Sequence, residues 1–150
     1  PAPGAESSPD GGDTAPESPA EGAWPAVTLA VPGECRWGGW TIRAETRPGR
    51  PSRPEGPDLA TLDAESLGPE ITVRGWAEGD RIRPLGLEGS KSLQDLFTDR
   101  GVPRSHRRLL PVLVAGDEIA WVAGLAIGEG FKIHAATRNT VVISATPVRG

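Results

Sequence analysis

The sequence predicts an α+β domain: a small, largely antiparallel β-sheet with two short helices, preceded by a β-meander and a disordered leader. Three observations predict it. Short apolar stretches with period two recur between glycine and proline turn signals, from AVTLAV near Val27 to TVVISAT near the C-terminus. Helical spacing is confined to one stretch between Ser90 and Leu110, and the first 23 residues contain no Val, Ile, Leu, Met or Phe. In 150 residues, apolar types make up only 37%, while Gly numbers 20 and Pro 16, so one modest core is expected and much of the chain is turn or linker.

The leader, residues 1–23, holds five acids and no base. Without large aliphatics it cannot offset its ordering entropy, and we read it as a disordered, self-repelling acidic linker. Residues 24–70 carry seven acids and five bases, and residues 71–150 carry eight acids and eleven bases. The acidity of the whole chain, −4, therefore belongs to its front, and the C-terminal part is mildly basic.

Order is expected from Trp24 onward. Val27, Leu29 and Val31 alternate on one face of a strand, Pro32-Gly33 breaks it, and Gly38-Gly39 turns the chain into a second strand, WTIRAE. Residues 24–70 thus read as a β-rich connecting region. Within it, a Pro/Arg loop at 47–58 repeats Pro48, Pro51, Pro54 and Pro57 in step with Arg47, Arg50 and Arg53. Three residues per turn suits polyproline II, which would line the arginines along one edge as a basic or SH3-directed arm. A stiff surface loop between strands is the simpler reading, and we adopt it. Residues 59–67 read as a turn or helical piece, and EITVR as a strand with Ile71 and Val73 inward.

Next comes the helical stretch. Ser90 is the expected N-cap of a helix whose Leu93, Leu96 and Phe97 form a buried stripe, with Gly101 ending it. Pro103 opens a second helix that sets Arg104, Arg107 and Arg108 on one face and His106, Leu109 and Leu110 on the other. Lys91 and Asp95 are spaced to pair on the first helix. Beyond Pro111, PVLVA, a Gly116-Asp117 link and EIAWVAG make a hairpin; FKIHA and TVVISAT, joined through Arg138-Asn139, read as another.

No residue set carries catalysis or a metal. Cys35 is the single cysteine, and neither His106 nor His134 stands at metal-ligand spacing from it. GLEGSKS has two residues between its glycines rather than the four that aim backbone amides at phosphate. His106 on the apolar face reads as a partly buried core histidine, Asp117 and Glu118 as turn acids, and Trp76 as a cap on the core. Cysteine usage, with no run of eighteen apolar residues and no secretion signal, points to a cytoplasmic setting without membrane contact. The chain starts at Pro1, which reads most simply as a fragment of something longer.

Four blocks in order, GDRIRPLG (79–86), GSKSLQDLF (89–97), VPRSHRRLLP (102–111) and EIAWVAGLAI (118–127), resemble the C-terminal domain of bacterial tRNA(Ile)-lysidine synthetases. The likeness runs over roughly Ile71 to Val142, and LAVPGE with LDAESLGPEITVR is similar to the strand region before that domain. Gly75-Trp76 departs from the family, which more often carries basic residues there, and its serine-glycine-glycine loop for ATP lies in a catalytic domain not represented in this sequence.

The resemblance implies that residues 71–150 are a tRNA-binding domain. In the parent protein, a carbon-nitrogen ligase, an N-terminal domain would use ATP with magnesium to activate the wobble cytidine of an isoleucine tRNA with a CAU anticodon. Free lysine would then displace AMP to form lysidine. The C-terminal domain would grip the acceptor stem. This chain alone is expected to be noncatalytic and to hold no cofactor, with tRNA and its own N-terminal domain as partners. Arg81, Arg83, Lys91, Arg104, Arg107, Arg108 and Lys132 are the expected RNA contacts. The alternative is a stand-alone nucleic-acid or protein-binding module that reuses the fold without enzymatic role.

Overall fold

A computed structural model describes residues 24–49, 59–86 and 88–148. The leader and the Pro/Arg loop from Arg50 to Asp58 lie outside the described residues. Two antiparallel sheets face each other. The first contains β1 (Val27–Ala30), β5 (Glu70–Arg74), β8 (Val112–Ala115), β9 (Glu118–Val122) and β10 (Ala126–Ile127), in the order β1-β5-β8-β9-β10. The second contains β2 (Gly33–Trp37), β3 (Trp40–Pro48), β4 (Leu59–Asp63) and β11 (Asn139–Pro147), in the order β2-β3-β11-β4. A two-stranded ribbon joins β6 (Arg81–Ile82) to β7 (Lys91–Ser92).

The apolar runs explain the layering. Leu113, Ala120 and Trp121 of the first sheet meet Ile42, Leu62, Val141 and Ile143 of the second, with Trp37 fully enclosed among them. Val112, Ile119 and Val122 point the other way, onto helix α2 (Leu93–Asp99). Strands β8 and β9 are therefore covered on both faces, which is why VLVA and EIAWV are apolar almost throughout instead of alternating. The expected hairpin forms between them, with a register irregularity at Leu113/Val114.

Strand β5 carries Ile71 and Val73 inward as expected, and the fold class is the expected α+β one. Pairing differs from the sequence reading in several places. β1 and β3 do not form one meander: β1 pairs with β5, while β2, not expected as a strand, forms the hairpin with β3 around Gly38-Gly39. Gly38 has φ +58°, and a Cβ there would lie 2.0 Å from the Trp24 ring, so only glycine fits this turn. Residues 59–67 are half strand: β4 runs to Asp63, which caps a single helical turn, α1 (Ala64–Leu67).

FKIHA is not a strand. Phe131 ends a 3-10 turn (Glu129–Phe131), and the backbone that follows bonds locally: Thr137 N–H donates to the His134 carbonyl at 3.0 Å, and His134 N–H to Thr137 Oγ1 at 2.9 Å. β11 instead inserts between β3 and β4. Both sheets thus draw strands from either side of the 70/71 boundary expected from the sequence, and the two stretches fold together.

Helix α2 starts later than expected because Lys91–Ser92 is held in the ribbon. Ser92, not Ser90, is the N-cap, its Oγ accepting from Asp95 N–H at 3.1 Å. The second helix is one turn only, α3 (Arg104–Arg107); Pro103 is its N-cap residue and Arg108 its C-cap.

Candidate nucleic-acid interface

The arginine turn stands on an aromatic floor. Phe97, from the buried stripe of α2, is fully enclosed, and Trp76, just beyond β5, meets it edge-on at 5.5 Å between ring centroids. The Arg107 guanidinium lies over the Phe97 ring at 5.6 Å, and that of Arg108 over Trp76 at 4.9 Å. Arg107 is tied further: its Nε donates to the Val102 carbonyl at 2.9 Å and its Nη2 to Thr98 Oγ1 at 3.4 Å. The backbone behind them is clamped from the second sheet, where Trp40 Nε1 donates to the Leu109 carbonyl at 2.7 Å. Arg104, at the start of α3, is exposed. So is His106, which corrects its expected place among core residues: a helix of one turn is too short to have an inner face at that position.

The other expected contacts are differently placed. Arg83 pairs with Glu118 at 3.4 Å, Lys132 with Glu129, and Lys91 with Asp99. The last replaces the expected Lys91–Asp95 pair, since Lys91 sits in the ribbon rather than on the helix. Arg81 donates from Nε to Ser90 Oγ at 3.0 Å. Arg81 and Arg83 line a groove of about 90 Å³ together with Asp117, Glu118 and Glu129, so its charge is mixed. Hydrogen bonds from Lys132 and from the Gly86 amide hold the Glu129 carboxyl below the usual range. Among the described residues, no carboxylate pairs with Arg104, Arg107 or Arg108. The arrangement concentrates unpaired positive charge on one turn.

Burial, followed by the adjacent Glu34, pushes the Cys35 thiol up, away from thiolate. Among the described residues no cluster of His, Cys, Asp and Glu is suited to a metal ion, and no helix is long and apolar enough to cross a membrane.

Comparison with known proteins identifies the domain. Residues 71–143 match the family described as the TilS substrate C-terminal domain. This stretch belongs to that family. The TilS domain thus contains the whole arginine turn and its aromatic floor. The tRNA(Ile)-lysidine synthase of Symbiobacterium thermophilum is 41% identical over 129 residues, covering 83% of this chain and 26% of the relative. That of Dehalococcoides mccartyi is 37% identical over 119 residues, covering 75% of this chain and 24% of the relative. The chain therefore spans about a quarter of the length of the curated relatives it matches. The fold is that of a solved TilS C-terminal domain crystal structure, with a TM-score of 0.71 at 23% identity over 84% of this chain and all of the other.

Two polar sites in and around the TilS domain gave no sequence signal. Arg74 Nη1 and Nη2 grip both oxygens of Asp80, at 2.8 and 3.1 Å, and close the loop that carries Trp76. Asp63 lies just upstream of the TilS stretch and is buried. Its carboxylate accepts from Ser66 N–H at 3.1 Å and Ser66 Oγ–H at 2.7 Å, receives Thr137, and faces His134 Nε2 at 3.7 Å. Burial alone would raise its pKa; the bonds from Ser66 and Thr137, with His134 nearby, outweigh that and hold it below the usual aspartate value.

Because the folded-state pKa is the lower one, ionised Asp63 stabilises the fold at neutral pH. That contribution declines once pH falls below the unfolded value of about 4 and is gone beneath the folded one. Asp63→Asn is expected to flatten the loss of stability on acidification, and Asp63→Ala to cost about 1–3 kcal/mol at pH 7 by orphaning its donors. Urea midpoints across pH measure both; an unchanged acid limb in Asp63→Asn would assign the acid sensitivity elsewhere.

Proposed function

We propose that the chain is the tRNA-engaging C-terminal part of a tRNA(Ile)-lysidine synthase, gripping the acceptor stem while an N-terminal domain modifies the wobble cytidine in the distant anticodon. That domain would use ATP with magnesium, and lysine, in the cytoplasm; this chain would contribute binding energy and orientation. One observation carries the reading: Arg104, Arg107 and Arg108 share one turn without carboxylate partners among the described residues, whereas Arg83, Lys91 and Lys132 are each paired.

A duplex stem hides its base edges in a deep groove and offers phosphates and 2′-hydroxyls, for which a compact guanidinium patch is the fitting counterpart. Arg81 lies apart on the ribbon, bonded to Ser90; the paired cations add less, since engaging phosphate would cost each its acidic partner.

The experiment is a competition for the 150-residue chain between two halves of isoleucine tRNA, the acceptor-stem minihelix and the anticodon-stem hairpin, at fixed salt. Preference for the minihelix is expected. Equal binding of both halves, or preference for the hairpin, would overturn the assignment.

A further inference from the structure

We propose that Trp76 is the positioning residue of the arginine turn and that, with Phe97, it biases the patch toward rigid double-stranded RNA over a flexible single strand. The inference rests on the RNA-contact reading above and adds what selects the partner.

A guanidinium held over an aromatic ring can still offer N–H groups to a phosphate, although Arg107 already commits Nε to the Val102 carbonyl and Nη2 to Thr98 Oγ1. Arg108 sits over Trp76, at 4.9 Å from the ring centroid, and Arg107 over Phe97, at 5.6 Å. The floor itself is fixed. Phe97 is fully enclosed and meets Trp76 edge-on, while the Arg74–Asp80 pair closes the loop that carries Trp76. The chain before Trp76 runs close to the chain after Arg108: a Cβ at Gly75 would lie 3.4 Å from the Arg108 carbonyl oxygen and 3.2 Å from the Trp37 ring. Trp40 then pins the next carbonyl, that of Leu109.

Two long cationic side chains are thereby ordered before any ligand arrives. Ordering in advance lowers the entropy lost on binding, and the gain is realised only by a partner whose phosphates already stand at fixed spacing. A duplex is such a partner. A single strand can bend to meet loose or fixed cations alike and gains little.

The test uses the 150-residue chain, a blunt RNA duplex and its separated strands as probes, and the variants Trp76→Leu, Trp76→Phe and Arg108→Gln. Trp76→Leu is expected to weaken duplex binding by about threefold to tenfold and single-strand binding by less than about twofold, with the salt slope retained. Arg108→Gln should instead lower the slope, by about 0.7–0.9. Trp76→Phe keeps an aromatic face and should hold most of the duplex preference, which also guards against a leucine variant that fails to fold.

In the protein without RNA, NMR should show the Arg108 side-chain protons shifted by the indole ring current, and that shift should vanish in Trp76→Leu. Equal losses on duplex and single strand, or no ring-current shift, would overturn the positioning role. If the unsubstituted chain shows the ring-current shift but binds neither RNA, the RNA-contact reading fails and the selectivity falls with it.

Discussion

Phe97→Ala is expected to cost about 3–5 kcal/mol of folding stability, a large share of what a domain of this size possesses. The side chain is fully enclosed and centres the smaller cluster with Ile82, Leu93, Leu96, Val112, Ile119 and Val122. Removing it leaves a cavity under α2, takes away the edge that steadies Trp76, and removes the ring beneath Arg107. No neighbour is placed to collapse into the space cheaply, because α2 is held at its start by Ser92 and β8 and β9 are filled from the opposite face. Urea unfolding measures the loss. Gln94→Ala, on the same helix but exposed, is the control and should stay within about 0.5 kcal/mol. A loss below about 1 kcal/mol for Phe97→Ala would mean that the second cluster does not support the fold.

Changing Arg104, Arg107 and Arg108 together to glutamine is expected to have the largest effect on RNA binding. For every phosphate that the altered turn no longer neutralises, the salt slope should fall by about 0.7–0.9, worth roughly fivefold to eightfold in affinity between about 1 M and 0.1 M salt. From the sequence alone, such a variant should fold almost unchanged, since the arginines read as a free helix face. The structure revises this. Arg107 and Arg108 lie on rings, and Arg107 also holds the Val102 carbonyl, so a cost of about 1–3 kcal/mol is expected alongside the binding loss. Binding across a salt series, checked against unfolding in the same buffer, separates the two. An unchanged slope with lowered stability would make the arginines a structural element only.

The sequence made legible what depends on neighbours along the chain. The β8–β9 hairpin needed only two apolar runs around Gly116-Asp117, and the inward Ile71 and Val73 needed only period two. The grouping of three arginines was equally local. What stayed hidden depends on which strand meets which. Whether Lys91 pairs with Asp95 or Asp99 turns on the ribbon that delays α2, and the ribbon depends on Arg81 and Ile82 being opposite. The clamp from Trp40 to Leu109 joins residues 69 apart in sequence, and no periodicity reports it. Similarly, the Asp63 site needs His134 and Thr137 from the stretch just before β11.

The place of β11 governs how the chain can be assembled in time. The last strand among the described residues lies inside its sheet, with Pro147 opposite Trp40 on one side and Ser144 opposite Leu59 on the other. Until it arrives, β3 and β4 have no common partner, and the apolar face that Ile42 and Leu62 help to form lacks Val141 and Ile143 between them. During synthesis this sheet therefore cannot close before β11 has left the ribosome, and its pairing is dominated by distant contacts of the kind that fold slowly. A chain stopped before Asn139 is left with two separated sheet edges, open to pairing with other chains.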